Sequence, residues 1–289
     1  MPSRFSYLII FIALMMSLGG VRSNAQAGPA SGLPDGAYCG GVVTTQAPST
    51  DLYVISGPEP ELKTIWTQGN LVYINRGASQ GVKIGDEFLV SRPETDPLAL
   101  PWFTGQMILM KAMGTYYVDL GRIRVTTVQA KVSVAQIIHS CDFIQRGDVL
   151  EPFQERPVPE IRPAGTFDRF APSNGKPKAT IVFTRRFGQV SGMGTIVYAN
   201  LGSAQGVKVG DYFRVFREVG NTRENLYQVS TDSYKVWGFG STPQPYGAED
   251  LPRDVIGEGV VTRVGPNAAT ILLTGSSRGI YAGDYVELE

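Results

Sequence analysis

The chain has 289 residues with 26 basic and 26 acidic side chains, and so no formal net charge at neutral pH. That balance, without a Lys/Arg stripe, argues against an electrostatic surface for nucleic acid or anionic membrane. Its 34 Gly, 19 Pro, 13 Tyr and 13 Phe favour many short strands joined by tight turns, with helix a minor component.

Residues 1–27 read as an export signal. Arg4 precedes the apolar run Tyr7 to Met16, and Ala25-Gln26-Ala27 forms an A-x-A site. Ser17, Gly19, Gly20 and Arg22 end the run short of the roughly 20 apolar residues that a membrane span needs. Cleavage after Ala27 is expected, leaving no integral membrane segment; a retained anchor is the rival reading. No Cys adjoins the cut, which argues against an N-terminal lipid. In an oxidising compartment the two cysteines, Cys39 and Cys141, are expected to pair, with two buried thiols as the alternative. Such a bridge would close a loop of about a hundred residues, worth roughly 4 to 5 kcal/mol by restriction of the unfolded chain.

Two copies of one module follow, expected over 35–151 and 179–289. The segment Gly69 to Arg92 recurs 125 residues later, without a gap, as Gly194 to Arg217, and 14 of 24 positions are identical. A fainter pairing at an offset of 136 matches Gly121, Val125, Ile144, Gly147 and Asp148 to Gly257, Val261, Ile280, Gly283 and Asp284. Upstream of each copy lies a strand-like piece, 52–55 and 179–183. Between the modules, 152–178 holds six prolines and reads as an extended surface linker. Alternation places Phe88, Val90 and Arg92 on one strand face, repeated as Phe213, Val215 and Arg217. The expected fold is all-β: two tandem small β-barrel-like modules joined by a Pro-rich linker, after a cleaved signal peptide.

The phrase at Asn75 to Asp86 and Asn200 to Asp211 is made of turn-forming residues. Gly77 and Gly81, with their counterparts Gly202 and Gly206, are expected at positive φ, while Val82 and Ile84 plug the barrel end. Four Gly-Asp turns are expected, at Gly85-Asp86, Gly147-Asp148, Gly210-Asp211 and Gly283-Asp284, each Asp capping local N–H groups. A calcium loop concentrates three or more carboxylates within about a dozen residues, whereas each turn here offers one. The Gly-containing stretch Ala78 to Lys83 likewise lacks a phosphate-loop pattern.

His139 is the single histidine, and in the repeat Gly275 stands at its place and Ser277 at that of Cys141. Neither a nucleophile–base pair nor a usual four-ligand zinc site can be assembled from these residues. Glu59 and Glu61 lie in a Pro-containing loop with nothing to hold them at glycosidase separation. No catalytic residue, cofactor or metal is therefore expected, and the chain reads as not an enzyme. Aromatic residues crowd the two insertions, Trp102, Phe103, Tyr116 and Tyr117 in 93–120 and Tyr227, Tyr234, Trp237, Phe239 and Tyr246 in 218–256. Either each insertion packs over its own barrel mouth, or these rings anchor a protein or glycan partner.

The phrase Val-Tyr-Ile-Asn-x-Gly followed by Gly-Val-Lys-x-Gly-Asp-x-Phe-x-Val resembles the C-terminal domain of the flagellar assembly protein T family, here in two tandem copies. More loosely, Asn75 to Val90 followed by Gly121 to Ile138 is similar to the β-barrel repeats of the rod-shape-determining protein MreC. The resemblance implies a periplasmic scaffold or ring component of the bacterial envelope, periplasmic or outer-membrane associated, with envelope proteins or peptidoglycan as partners and oligomers possible. An accessory glycan- or peptidoglycan-binding protein is the alternative, and an exported hydrolase comes third.

Overall fold

In the computed structural model, residues 38–95, 99–162, 167–218, 233–236, 239–243 and 250–289 are described; the expected export signal lies outside them. Residues 33–289 belong to one compact unit. The first copy contains strands β1 (Val42–Thr44), β2 (Val54–Ser56), β3 (Ile65–Trp66), β4 (Leu71–Ile74) and β5 (Glu87–Glu94), helix α1 (Gln106–Met113), then β6 (Thr115–Val128), β7 (Ser133–Ser140), β8 (Ile144–Gln145) and β9 (Val149–Pro152). The second contains β10 (Lys178–Thr184), β11 (Val190–Ser191), β12 (Ile196–Ala199), β13 (Tyr212–Arg217), the hairpin β14 (Ser233–Val236) and β15 (Phe239–Pro243), then β16 (Asp254–Val264), β17 (Ala269–Ser276), β18 (Ile280–Tyr281) and β19 (Tyr285–Leu288).

The fold is all-β and barrel-like. In the second copy, β10-β12-β17-β16-β13-β19 close into a barrel. The first copy keeps the same order, β2-β4-β7-β6-β5-β9, with β1 added along β6. Its seam is closed by main-chain bonds, Val54 N to Asp148 O at 2.9 Å, Gly147 N to Val54 O at 2.8 Å and Leu150 N to Leu52 O at 2.9 Å. Closure pairs the first and last strands of each six-strand ring with each other, which removes the edges a flat sheet would leave there, while β1 lies along β6 outside the ring.

Strand register is shared between the copies. Phe88 faces Ile123 and Val90 faces Gly121, and likewise Phe213 faces Gly259 and Val215 faces Gly257. Each ladder then shifts at the same place, leaving Leu120 and Ile256 as the extra residues of a bulge. Phe88, Val90, Phe213 and Val215 are buried, as the period-two pattern requires. Arg92 and Arg217 continue that inward face, where an unpaired charge would be costly. Each is satisfied by a two-pronged bond to a buried aspartate, Arg92 to Asp148 at 2.7 and 2.9 Å and Arg217 to Asp284 at 2.7 and 2.7 Å. Burial pushes the Asp148 carboxyl above its ordinary value, against the lowering effect of Arg92.

The four Gly-Asp turns share one geometry. Gly85, Gly147, Gly210 and Gly283 have φ of 94°, 89°, 93° and 104°, in the left-handed region that favours glycine. Asp86, Asp148, Asp211 and Asp284 each accept a bond from the backbone N–H three residues earlier, at 2.9, 2.7, 2.8 and 2.8 Å. Each turn then exchanges a pair of main-chain bonds with one apolar strand residue, in order Val125, Val54, Val261 and Ile181. One clip thus occurs twice in each barrel.

Two expectations for the signature need correction. Gly81 and Gly206 have positive φ, but Gly77 and Gly202 are extended, at φ −137° and −136°. These two are glycine because of crowding: a Cβ on Gly77 would stand 2.2 Å from the Gln129 carbonyl oxygen, and one on Gly202 would stand 2.4 Å from that of Gly265. Val82 and Val207 are buried plugs, whereas Ile84 is 71% exposed. Beyond the plug the chain turns outward into the Gly-Asp clip and carries residue 84 with it.

Between its ends, Pro152 in β9 and Lys178 in β10, the proline-rich stretch has no regular secondary structure in its described parts, 153–162 and 167–177. It is pinned to the barrels. Arg156 pairs with Asp119 at 2.8 Å, the Arg162 N–H donates to the Tyr212 hydroxyl at 2.5 Å, and Arg169 pairs with Asp254 at 2.7 Å. Arg253 donates to the carbonyls of Ala171 and Pro172 at 2.8 Å each and to Glu287 at 2.6 Å. Burial pushes Glu287 up, but its bonds from Arg253 and Ser173 outweigh that and hold its carboxyl below the usual value.

Candidate functional site: the junction between the barrels

The two barrels share a core. Val43, Tyr116, Val118 and Leu120 of the first copy lie in the same apolar cluster as Val182, Phe183, Tyr198 and Leu272 of the second. Tyr116 sits at its centre, 4.8 Å from the Tyr198 ring, 5.5 Å from Phe183 and 6.1 Å from Phe187, with tilted or edge-on geometry. Such pairs add about 0.5 to 1.5 kcal/mol beyond their buried area. The Tyr116 and Tyr198 hydroxyls share a 2.8 Å hydrogen bond, and Tyr198 also reaches the Gly40 carbonyl at 2.5 Å. Burial raises the Tyr116 phenol to about 12 and that of Tyr198 well above its usual value, so both stay neutral.

The segment 39–44 is a wedge in this junction. Cys39 is bonded to Cys141, with Cα atoms 5.4 Å apart. Gly40 accepts from Tyr198, the Gly41 N–H donates to Asp119 at 2.8 Å, and the Gly41 carbonyl accepts from Thr270 at 3.2 Å. β1 then pairs with the start of β6, and Val43 is buried, its carbonyl packed on Gly265 of the second barrel. The disulfide expected from the cysteine count therefore exists, and it anchors the segment that both barrels grip.

Asp119 is the electrostatic hub. It is 1% exposed, yet its carboxylate accepts from Gly41, from Arg156 at 2.8 and 3.1 Å, and from Arg263 at 3.1 and 3.4 Å. Wedge, linker and second barrel thus converge on one side chain of the first. Burial lowers the Arg263 guanidinium from its ordinary range, and Asp119 opposes that shift. Removal of the carboxylate would leave two partly buried cations without compensation.

Beside this hub lie two adjoining grooves, of about 420 and 480 Å³, that share Leu89, Phe153, Glu155 and Arg156. His139, Cys141 and Arg122 line the first groove, and Thr262 and Arg263 the second. Arg122 stacks over Phe153 at 4.5 Å and approaches Glu87 at 3.5 Å. His139 Nε2 lies 3.5 Å from Cys39 Sγ. The lining mixes rings, guanidinium groups and one imidazole, the chemistry that receives a polar ligand with an apolar face.

The aromatic residues singled out from the sequence separate accordingly. Phe103 and Tyr116 are buried, which removes them from any surface for partners. The described part of the first insertion reaches the second barrel, where the sequence suggested packing over its own. Tyr116 packs on the second barrel, and α1 is tied to it by Gln106, which donates to the Val182 carbonyl at 2.9 Å. Trp102 and Tyr117 are half-buried. Tyr234 and Phe239 fall on the β14–β15 hairpin, and Tyr227, Trp237 and Tyr246 lie outside the described residues.

Asp119, Arg156, Arg263 and Tyr198 are not among the residues that the sequence singles out. For Asp119 a signal existed: it interrupts the apolar run Val118 to Leu120, and the repeat has Val255 at that position. Tyr198 gave none, because its counterpart Tyr73 is identical but only half-buried. The chain matches no known family model and no curated protein.

Proposed function

We propose that this chain is a non-catalytic, exported scaffold of the bacterial envelope, periplasmic or outer-membrane associated, that holds other envelope components on a rigid double barrel. The observation that carries this reading is the junction. Side chains suited to proton transfer or nucleophilic attack are engaged in structure there: Asp119 between two guanidinium groups, Cys39 and Cys141 with each other, and Tyr116 with Tyr198. Joining two barrels through a shared core, a pinned linker and a bridged wedge yields a body that keeps its surface features at fixed spacing, as a scaffold requires. The likeness of the duplicated phrase to envelope assembly proteins is in keeping with this role.

The test is chemical cross-linking of intact envelopes followed by recovery of the tagged chain. A reproducible set of envelope proteins is the expected result. Recovery of cell-wall fragments alone would replace the scaffold by an accessory glycan-binding protein, with the groove lined by Arg122 and Phe153 as its site. Bond hydrolysis that co-purifies with the chain and is lost in an Asp119 or His139 variant would overturn the non-catalytic reading.

A further inference from the structure

Cys39, His139 and Cys141 form a cluster whose sulfur and ring-nitrogen atoms all lie within 4.8 Å of one another. Among the described residues it is the only group of three or more His, Cys, Asp or Glu side chains placed to share an ion. His139 is the last residue but one of β7, and Cys141 follows just past the strand's end, where its sulfur lies beside the imidazole. His139 and Cys141 line the 420 Å³ groove, so the cluster is open to solutes on one side.

We propose that, once the disulfide is reduced, Cys39, Cys141 and His139 bind one thiophilic divalent cation of the zinc type, with a groove water or solute in the fourth position. Two thiolates, one imidazole and an open place make up a known tetrahedral zinc arrangement. It differs from the closed four-ligand site that one histidine and two cysteines cannot build.

A thiol reductant, oxidised to its own disulfide, or a phosphine, oxidised with water to its oxide, supplies the electrons. Two electrons and two protons enter the S–S bond, which breaks to two thiols. The cation then displaces both thiol protons to solvent and takes the thiolates and the neutral imidazole. Rotation about the Cα–Cβ bonds parts the sulfurs to the about 3.8 Å that two thiolates on one tetrahedral ion require.

What makes this a site rather than two loose thiols is that neither cysteine depends on the bridge for its place. Next to Cys39, the Gly40 carbonyl is held by Tyr198 and the Gly41 N–H by Asp119. The Cys141 N–H donates to the Leu120 carbonyl at 2.8 Å. The donor atoms therefore stay together after reduction, which is the preorganisation that metal affinity needs. Redox state becomes a switch: the oxidised chain offers only the imidazole, and the reduced chain offers three ligands.

Cobalt(II) titration of the oxidised and the phosphine-reduced chain, without oxygen, tests this. The reduced chain should take up one equivalent and show intense thiolate-to-cobalt absorption together with tetrahedral d–d bands, and the oxidised chain neither. His139→Ala should keep its β-sheet circular dichroism and lose about tenfold or more in affinity, since even residues behind the ligands are worth about 10- to 100-fold. Equal uptake by both redox forms, undiminished affinity in His139→Ala, or loss of the β-sheet spectrum on reduction alone would each overturn the proposal.

Discussion

The hydroxyl groups of Tyr116 and Tyr198 meet at 2.8 Å across the boundary between the two barrels. Each comes from a different copy of the duplicated module, and both rings lie in a single core. The consequence concerns alkali. With an ordinary phenol value of 10.0 in the unfolded chain and about 12 in the fold, Tyr116 favours folding while it is neutral. That contribution is complete below pH 10.0 and is lost as pH rises towards about 12. A rise of that size corresponds to about 3 kcal/mol. Urea midpoints measured from pH 9 to 12 should fall, and Tyr116→Phe should flatten part of the fall.

Asp119 should be the most sensitive polar position at the junction. Asp119→Ala strands Arg156 and Arg263 and is expected to cost about 3–5 kcal/mol, the range for breaking a buried ion pair from one side. A cycle with Arg263→Ala should depart from additivity by about 0.5–3 kcal/mol, because the two groups are in contact. Chemical denaturation of the four proteins supplies the numbers.

Reduction of the disulfide should lower stability by about 4–5 kcal/mol, the chain-entropy value for a loop of 102 residues. Because hydrogen bonds hold the wedge independently, the urea transition should move to lower denaturant and remain cooperative. Circular dichroism in urea with and without a phosphine measures the shift.

Gly265 and Gly192 offer a matched pair. A Cβ on Gly265 would stand 2.0 Å from the Val43 carbonyl oxygen, whereas one on Gly192 meets only the Ser276 hydroxyl at 3.5 Å. Gly265→Ala should force the wedge outward and cost about 1–3 kcal/mol, the range for overpacking. Gly192→Ala should stay within about 0.5 kcal/mol. Thermal unfolding distinguishes the two.

Much of the barrel was legible in the sequence because barrel closure needs particular residue types at particular places. The alternation of Phe88 and Val90, the four Gly-Asp clips and the offsets of 125 and 136 all correspond to shared register. Subtler features were hidden where one residue type serves two physical ends. Glycine answers both to positive φ, as at Gly81, and to close approach, as at Gly77. The junction was the least legible part, since it joins surfaces that the repeat treats alike. Tyr73 and Tyr198 are the same residue in the same strand position, and only the second meets a neighbour. Asp119 was readable only as a departure from the repeat. Aromatic residues in an insertion, such as Phe103 and Tyr116, could equally serve a partner or the chain's own second barrel, and the structure assigns these two to the chain itself.

The two barrels form one body through the junction rather than through the chain that joins them. Cutting that chain tests it most directly. A protease site placed after Val158, which is 52% exposed, separates the copies covalently, since Cys39 and Cys141 both lie before it. After complete cleavage, size-exclusion chromatography under native conditions should return both fragments in a single peak at the elution volume of the intact chain. Two separate peaks, each the size of one barrel, would mean that only the covalent linker holds the barrels together.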